Sequence, residues 1–151
     1  MLPRPLYRPV ELLLGNLSLC PPALSQFAAV PAFEPAARAE LDAHVARYAH
    51  NRQLLLHRLP EIGLPRLAPP DGAFYVYADV SDYTHDSLAW AHEVLAATGV
   101  AITPGVDFAP PRPTGPSPSD GSHFIRLCFA GATTDIAEAV ERLEHLLAGG
   151  S

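Results

Sequence analysis

HFIRLCFA, residues 123 to 130, alternates its apolar side chains between two faces, with Ile125, Leu127 and Phe129 on one and Phe124, Cys128 and Ala130 on the other. A run that is apolar on both sides has the pattern of a strand covered on both faces. In its middle stands Arg126, a permanently charged guanidinium whose burial without a partner is strongly unfavourable. The stretch therefore predicts a sheet strand carrying a cation that needs an anion, drawn from the chain itself or from outside it. One of the chain's own acids, such as Asp79 or Asp82, could pair with it internally.

On the carboxy-terminal side, TTDIAEAVERLEHLLAGG (133–150) sets Ile136, Val140, Leu143 and Leu147 on one helical stripe, opened by Thr133 or Thr134 and stopped by Gly149. On the other side, PPRPTGPSPSDG (110–121) is too rich in breakers to hold regular structure, and VAITP (100–104) reads as a short strand. DSLAWAHEVLAATG (86–99) is a helix with Asp86 or Ser87 as N-cap and Gly99 past its end, and GAFYVYADV (72–80) gives a strand over Ala73 to Ala78.

Further upstream, PAARAELDAHVARYAHNRQLLLHRL (35–59) repeats Leu41, Val45, Tyr48, Leu55 and Leu56 on a long amphipathic helix with Pro35 in its first turn, ended by Gly63 and Pro65. Pro3, Pro5 and Pro9 are expected to keep the first residues out of a helix. RPVELLLGNLSLCPP (8–22) then holds at most a short helical turn, and ALSQFAAVPAF (23–33) resumes a helix that stops near Pro31. The predicted class is α+β: one small antiparallel or mixed sheet of strands near 73–78, 100–103 and 123–130, covered by helices near 87–98 and 133–147, with a long connecting helix.

Composition bounds the function. The 151 residues are 48% hydrophobic, which suits one domain, or one domain and part of another. No apolar run approaches the ~18 residues of a membrane span, and the prolines of MLPRPLYRPV interrupt any signal-peptide core, so no membrane contact and a cytoplasmic setting are expected. Cys20 and Cys128 lack disulfide or metal spacing and are read as free thiols. A formal net charge of -6 with scattered arginines argues against a nucleic-acid surface. All 10 basic residues are arginine. Without lysine, no side-chain amine can form a Schiff base with a carbonyl.

Weaker signals receive plain structural readings. Asp79, Asp82, His85 and Asp86 lie close in ADVSDYTHD, but turn and N-cap duty explains them better than a metal site or an acid and histidine pair such as Asp82 and His85 working without a cofactor. His44 and Tyr48 share a helix face, as do His50 and His57, the latter two ~10 Å apart along the axis and too far for one metal. Asn16 and Gln26 flank the Cys-Pro-Pro corner, where capping and loop hydrogen bonding account for them as well as a place near a site or interface does, and Gly72 and Gly105 are expected to be turn formers needing special dihedrals. No metal site is expected.

Four ordered segments carry a resemblance: LYRPVELLLGNLSLCPPALSQFAAVPAF (6–33), PPDGAFYVYADVS (69–81), GVAITPGVDF (99–108) and HFIRLCFAGATTDIAEAVERL (123–143). Together they resemble the carboxy-terminal part of a class I/II pyridoxal-phosphate-dependent aminotransferase of the aspartate aminotransferase superfamily. The resemblance covers nearly the whole chain and departs only in the Pro/Ser/Gly loop. It implies that residues 1–33 are the end of a large domain and residues 34–151 a small domain with its connecting helix. It also implies that Arg126 binds the substrate's α-carboxylate.

The family's catalytic lysine, the aspartate facing the cofactor's pyridine nitrogen, the ring-stacking aromatic and the phosphate-binding loop belong upstream of the part represented here. No catalytic, cofactor-binding or metal-binding residue is therefore assigned, and pyridoxal phosphate is implied for the family without being held by this chain alone. The expected function is that of an aminotransferase's carboxy-terminal portion, truncated or split and inactive by itself. The alternative is a non-catalytic binding or assembly module derived from the small domain, and whether the chain is an enzyme stays open. The implied partners are a complementing large-domain chain, or a second copy through residues 1–33, and a small carboxylate.

Overall fold

A computed structural model describes residues 2–109 and 121–149; the Pro/Ser/Gly loop lies almost wholly outside these. The chain divides into two compact units, Met1–Ala43 and His44–Ser151.

The first unit is helical. A 3-10 turn at Arg4–Leu6 leads into α1 (Tyr7–Leu13), a π-helical turn follows at Leu14–Ser18, and α2 (Ala23–Ala29) runs into a 3-10 turn at Val30–Phe33. The expectation that Pro3, Pro5 and Pro9 exclude a helix here is overturned. Pro5 sits in the 3-10 turn and Pro9 in the first turn of α1, where a backbone N–H has no intrahelical acceptor and proline removes nothing. Leu19, at φ 57, ends the run by donating its N–H to Leu14 O at 2.9 Å. Asn16 and Gln26 bond locally, Asn16 Nδ2 to Leu12 O at 2.6 Å and Gln26 Nε2 to Pro21 O at 2.9 Å. No described residue of this unit is buried: Leu17 is 79% exposed, Leu24 83% and Phe33 80%.

α3 (Pro35–Glu61) starts in the first unit and continues into the second. There β1 (Tyr75–Asp79), β2 (Thr103–Pro104) and β3 (Phe124–Cys128) form one antiparallel sheet in the order β1-β3-β2, with α4 (Ser87–Thr98) and α5 (Thr133–Gly149) completing the layer. The α+β class and the single sheet agree with the sequence pattern. The strands are shorter than their apolar runs, and only Thr103 and Pro104 of VAITP pair with β3.

Val76 and Ala78 of β1, Ile125 and Leu127 of β3, Leu55 and Leu59 of α3, Trp90 and Val94 of α4, and Val140 and Leu143 of α5 gather in one core. Burying side chains of this size stabilises the unit by about 1.5–3 kcal/mol each. Covering of β3 on both faces is not observed. Ile125 and Leu127 are buried, but Phe124 and Arg126 on the other face are half-buried and Cys128 is exposed; the buried apolar residues of α3, α4 and α5 share one core with Ile125 and Leu127.

Two local readings change. The buried face of α3 is Asn51, Leu55 and Leu59, at i, i+4 spacing, whereas Leu41 and Val45 are 51% and 61% exposed. Asn51 is fully buried: its Nδ2 donates to Phe129 O at 3.0 Å and to Gly131 O at 3.1 Å, and its Oδ1 accepts from Thr133 Oγ1 at 2.7 Å. One polar residue thus holds the turn between β3 and α5. Gly72 has no left-handed dihedral; the neighbouring Ala73 adopts φ 56, and among the described residues the left-handed glycines are Gly63 and Gly99. Gly99 ends α4 in the αL conformation, and Asp86 caps its start by accepting from Leu88 N and Ala89 N.

Candidate carboxylate-binding site

Arg126 is opposite Tyr77 of β1 and Thr103 of β2 in the sheet register. Its guanidinium carbon is 4.0 Å from the centroid of the Tyr75 ring and 4.2 Å from that of Phe108. The cation is held between two aromatic faces, each attractive by about 0.5–1 kcal/mol at a partly exposed site. Beside it, Tyr77 and Phe124 stack at 5.0 Å with 9° between their planes. Burial pushes the Tyr77 phenol above its ordinary pKa, which keeps the hydroxyl protonated.

The Phe108 wall depends on two glycines. Phe108 follows a 3-10 turn at Gly105–Asp107 and donates its N–H to Gly105 O at 3.0 Å. A Cβ on Gly105 would come within 2.6 Å of Gly121 O and of the Tyr77 hydroxyl oxygen, and a Cβ on Gly121 would run into the Gly105 carbonyl. Gly105 is therefore required for close backbone approach rather than for a special dihedral. Gly121 O in turn accepts from the buried Ser87 Oγ at 2.9 Å, which ties the crossing to the first residue of α4.

Asp79 and Asp82, the acids considered above as internal partners of Arg126, pair with another arginine. Arg66 contacts Asp79 Oδ2 through Nε at 3.1 Å and, through one terminal nitrogen, both Asp82 at 2.9 Å and Ser81 Oγ at 3.0 Å. Partial burial raises the Asp79 pKa, but the Ser81 hydrogen bonds and the Arg66 guanidinium outweigh it and hold the carboxyl below its ordinary value. Among the described residues Arg126 forms no ion pair, and its Nε is buried without a hydrogen-bond partner. A planar cationic fork between aromatic walls suits a carboxylate.

Several other histidines and acids have contacts elsewhere. Asp86 caps α4, His57 approaches Glu61 at 3.6 Å, His44 lies 6.5 Å from the Tyr48 ring, and no group of three metal-ligating residues occurs among the described residues. His85 instead reaches His123. Sequence reading missed Tyr75, Phe108 and Arg66 as partners. Phe108 is 18 positions from Arg126 across the Pro/Ser/Gly loop, and Arg66 lies in a proline-rich turn whose return to residues 79–82 leaves no local periodicity.

The family model for aminotransferase class I and II matches residues 12–143. The valine–pyruvate aminotransferase of Mycobacterium tuberculosis is 54% identical over 143 residues, 95% of this chain and 35% of that protein. The (5-formylfuran-3-yl)methyl phosphate transaminase of Methanocaldococcus jannaschii is 30% identical over 87% of this chain and 32% of its own length. Among solved structures, an aminotransferase from Mycobacterium tuberculosis superposes with a TM-score of 0.81 at 53% identity, covering 98% of this chain and 36% of that one. The aromatic aminotransferase of Pyrococcus horikoshii gives 0.73 at 29% identity, over 95% and 36%. The chain spans about a third of the length of the curated relatives it matches.

Proposed function

The chain belongs to the class I and II aminotransferase family, and from that premise we propose that it is the carboxy-terminal portion of an aminotransferase, with Arg126 as the fork that receives the α-carboxylate of the amino acid or 2-oxo acid. The observation that carries this reading is the half-buried guanidinium between Tyr75 and Phe108, with no acid paired to it among the described residues. In this reading residues 1–33 close a large domain and residues 34–151 are the small domain. Both cysteines are exposed thiols, which supports a reducing, cytoplasmic setting.

Pyridoxal phosphate supplies the electron sink in this family. These 151 residues contain no lysine to hold it covalently, so they do not fit the cofactor by themselves, and the chemistry assigned to them is binding and orienting the carboxylate. A lysine-bearing large domain, in the same or another chain, provides the rest. The 54% identity to a valine–pyruvate enzyme makes valine and pyruvate the first pair to assay.

The test mixes this chain with the separately produced large domain of that relative, pyridoxal phosphate, valine and pyruvate. Amino transfer is expected in the mixture and in neither component alone. Arg126→Lys, which keeps the charge but loses the fork, should lower kcat/KM by roughly 10–100-fold, since a hydrogen bond to a charged group contributes about 1.5–3 kcal/mol. A stable complex without transfer would instead favour the non-catalytic binding module, and transfer indifferent to Arg126→Leu would overturn the role given to Arg126.

A further inference from the structure

His85 and His123, 38 residues apart in sequence, bring their Nδ1 atoms to 3.1 Å, with ring centroids 4.9 Å apart and planes at 87°. One residue comes from the loop between β1 and α4 and the other from the 3-10 turn that launches β3. Each backbone is fixed independently of the pair. His123 O accepts from Val80 N at 2.7 Å, two residues before it Gly121 O accepts from Ser87 Oγ at 2.9 Å, and next to His85 the Asp86 N–H donates to Thr84 Oγ1 at 2.9 Å while its carboxylate caps α4. Two imidazoles therefore converge without needing each other to hold their loops in place.

We propose that His85 and His123 form a two-histidine site for a divalent transition metal of the zinc, nickel or copper type. Imidazole suits these ions. At a metal–nitrogen distance of ~2.0–2.1 Å, nitrogens 3.1 Å apart subtend roughly 100° at the ion, between the right angle of a tetragonal site and the tetrahedral angle. The direct contact requires one Nδ1 to carry a hydrogen and the other a lone pair; moving the first hydrogen to Nε2 leaves a lone pair on each Nδ1 without a change of net charge, and rotation of the exposed His85 ring turns both toward one ion.

No third His, Cys, Asp or Glu joins the pair among the described residues, so water or an external ligand completes the coordination. His85 is exposed and His123 half-buried, which leaves those positions open to solvent. A bound ion would cross-link the β1–α4 loop to the entry of β3, three residues before Arg126. The site stands independently of the aminotransferase reading.

The test is titration of the metal-free full chain with zinc, and separately nickel, by calorimetry, with electron paramagnetic resonance of the copper-loaded chain. Saturable uptake of one ion per chain is expected, with two imidazole nitrogens on copper. Changes to residues that merely orient a ligand already weaken metal sites 10–100-fold, so His85→Ala and His123→Ala should each weaken uptake by at least ~10-fold. His57→Ala, on the exposed face of α3, should leave uptake unchanged. Circular dichroism shows whether each variant is folded, and the copper spectrum of the unaltered chain does not depend on any variant folding. Absence of one-to-one uptake, a copper spectrum without paired imidazoles, or uptake equal in folded His85→Ala and unaltered chain would overturn the proposal and leave the pair as a simple hydrogen bond.

Discussion

The energetics of Arg126 separate a ligand site from a structural ion pair. Removing one partner of a buried ion pair strands a charge and destabilises a fold by about 3–5 kcal/mol. Here the described surroundings are two rings and an unpartnered Nε. Arg126→Leu forfeits two cation–π contacts of about 0.5–1 kcal/mol each and relieves an unsatisfied polar atom of about 1–3 kcal/mol. The two effects nearly cancel, so the urea midpoint should move by less than the equivalent of ~1 kcal/mol; a loss of ~3 kcal/mol would identify a structural arginine. Arg66 behaves differently. Its guanidinium helps hold the folded-state pKa of Asp79 below the ordinary 3.8, so the Asp79 contribution to stability is present above about that pH and is lost as pH falls further through the folded value. Arg66→Gln should shrink the loss of stability between pH 5 and pH 2 in an acid titration followed by circular dichroism; an unchanged acid profile would mean that solvent already screens this exposed cluster.

At the scale of elements, two contacts decide how β3 is presented. Asn51 connects α3 to the turn after β3 through three hydrogen bonds. Asn51→Leu has similar bulk but leaves Phe129 O, Gly131 O and the Thr133 hydroxyl without this partner, and should destabilise the chain by roughly 3 kcal/mol in urea denaturation, since each buried orphan costs about 1–3 kcal/mol. The crossing of Gly105 and Gly121 fixes the other end of the strand. Gly121→Ala forces the two backbones apart and should cost about 1–3 kcal/mol. It should also move Phe108 away from Arg126, which a changed near-ultraviolet aromatic signal would report; a stable variant with that signal intact would mean the loops yield without disturbing the site.

For the whole molecule, many of the most exposed large apolar side chains lie in the first unit. Leu12, Leu13, Leu14, Leu17, Phe27 and Val30 are 47%, 56%, 56%, 79%, 77% and 62% exposed, and large apolar side chains left to water in such number invite a covering partner. In the proposed function this surface meets the remainder of a large domain or a second copy. Sedimentation of the 151-residue chain should show concentration-dependent association that weakens when Leu17 and Phe27 are both changed to Asp. A monomer across the accessible concentration range, with residues 2–33 ordered, would count against it.

Much of the fold was legible because its signals are local. The 3.6-residue stripe of Ile136, Val140, Leu143 and Leu147, the Asp86 cap and Gly99 stop of α4, and the alternation around Arg126 each depend on neighbours within a few positions. Composition alone settled that these residues carry no lysine amine. Local pattern misjudged the prolines before α1, because their effect depends on which helical turn they occupy, and it passed over Asn51, because a polar residue on an apolar stripe gives no hint of carbonyls some 80 residues away. Only the tertiary structure decided that Asp79 and Asp82 go to Arg66, that Tyr75 and Phe108 flank the Arg126 guanidinium, and that His85 meets His123. Those pairings follow from cross-strand register and from the glycine crossing that closes the sheet's edge, which arise when distant segments pack and leave no period in the chain.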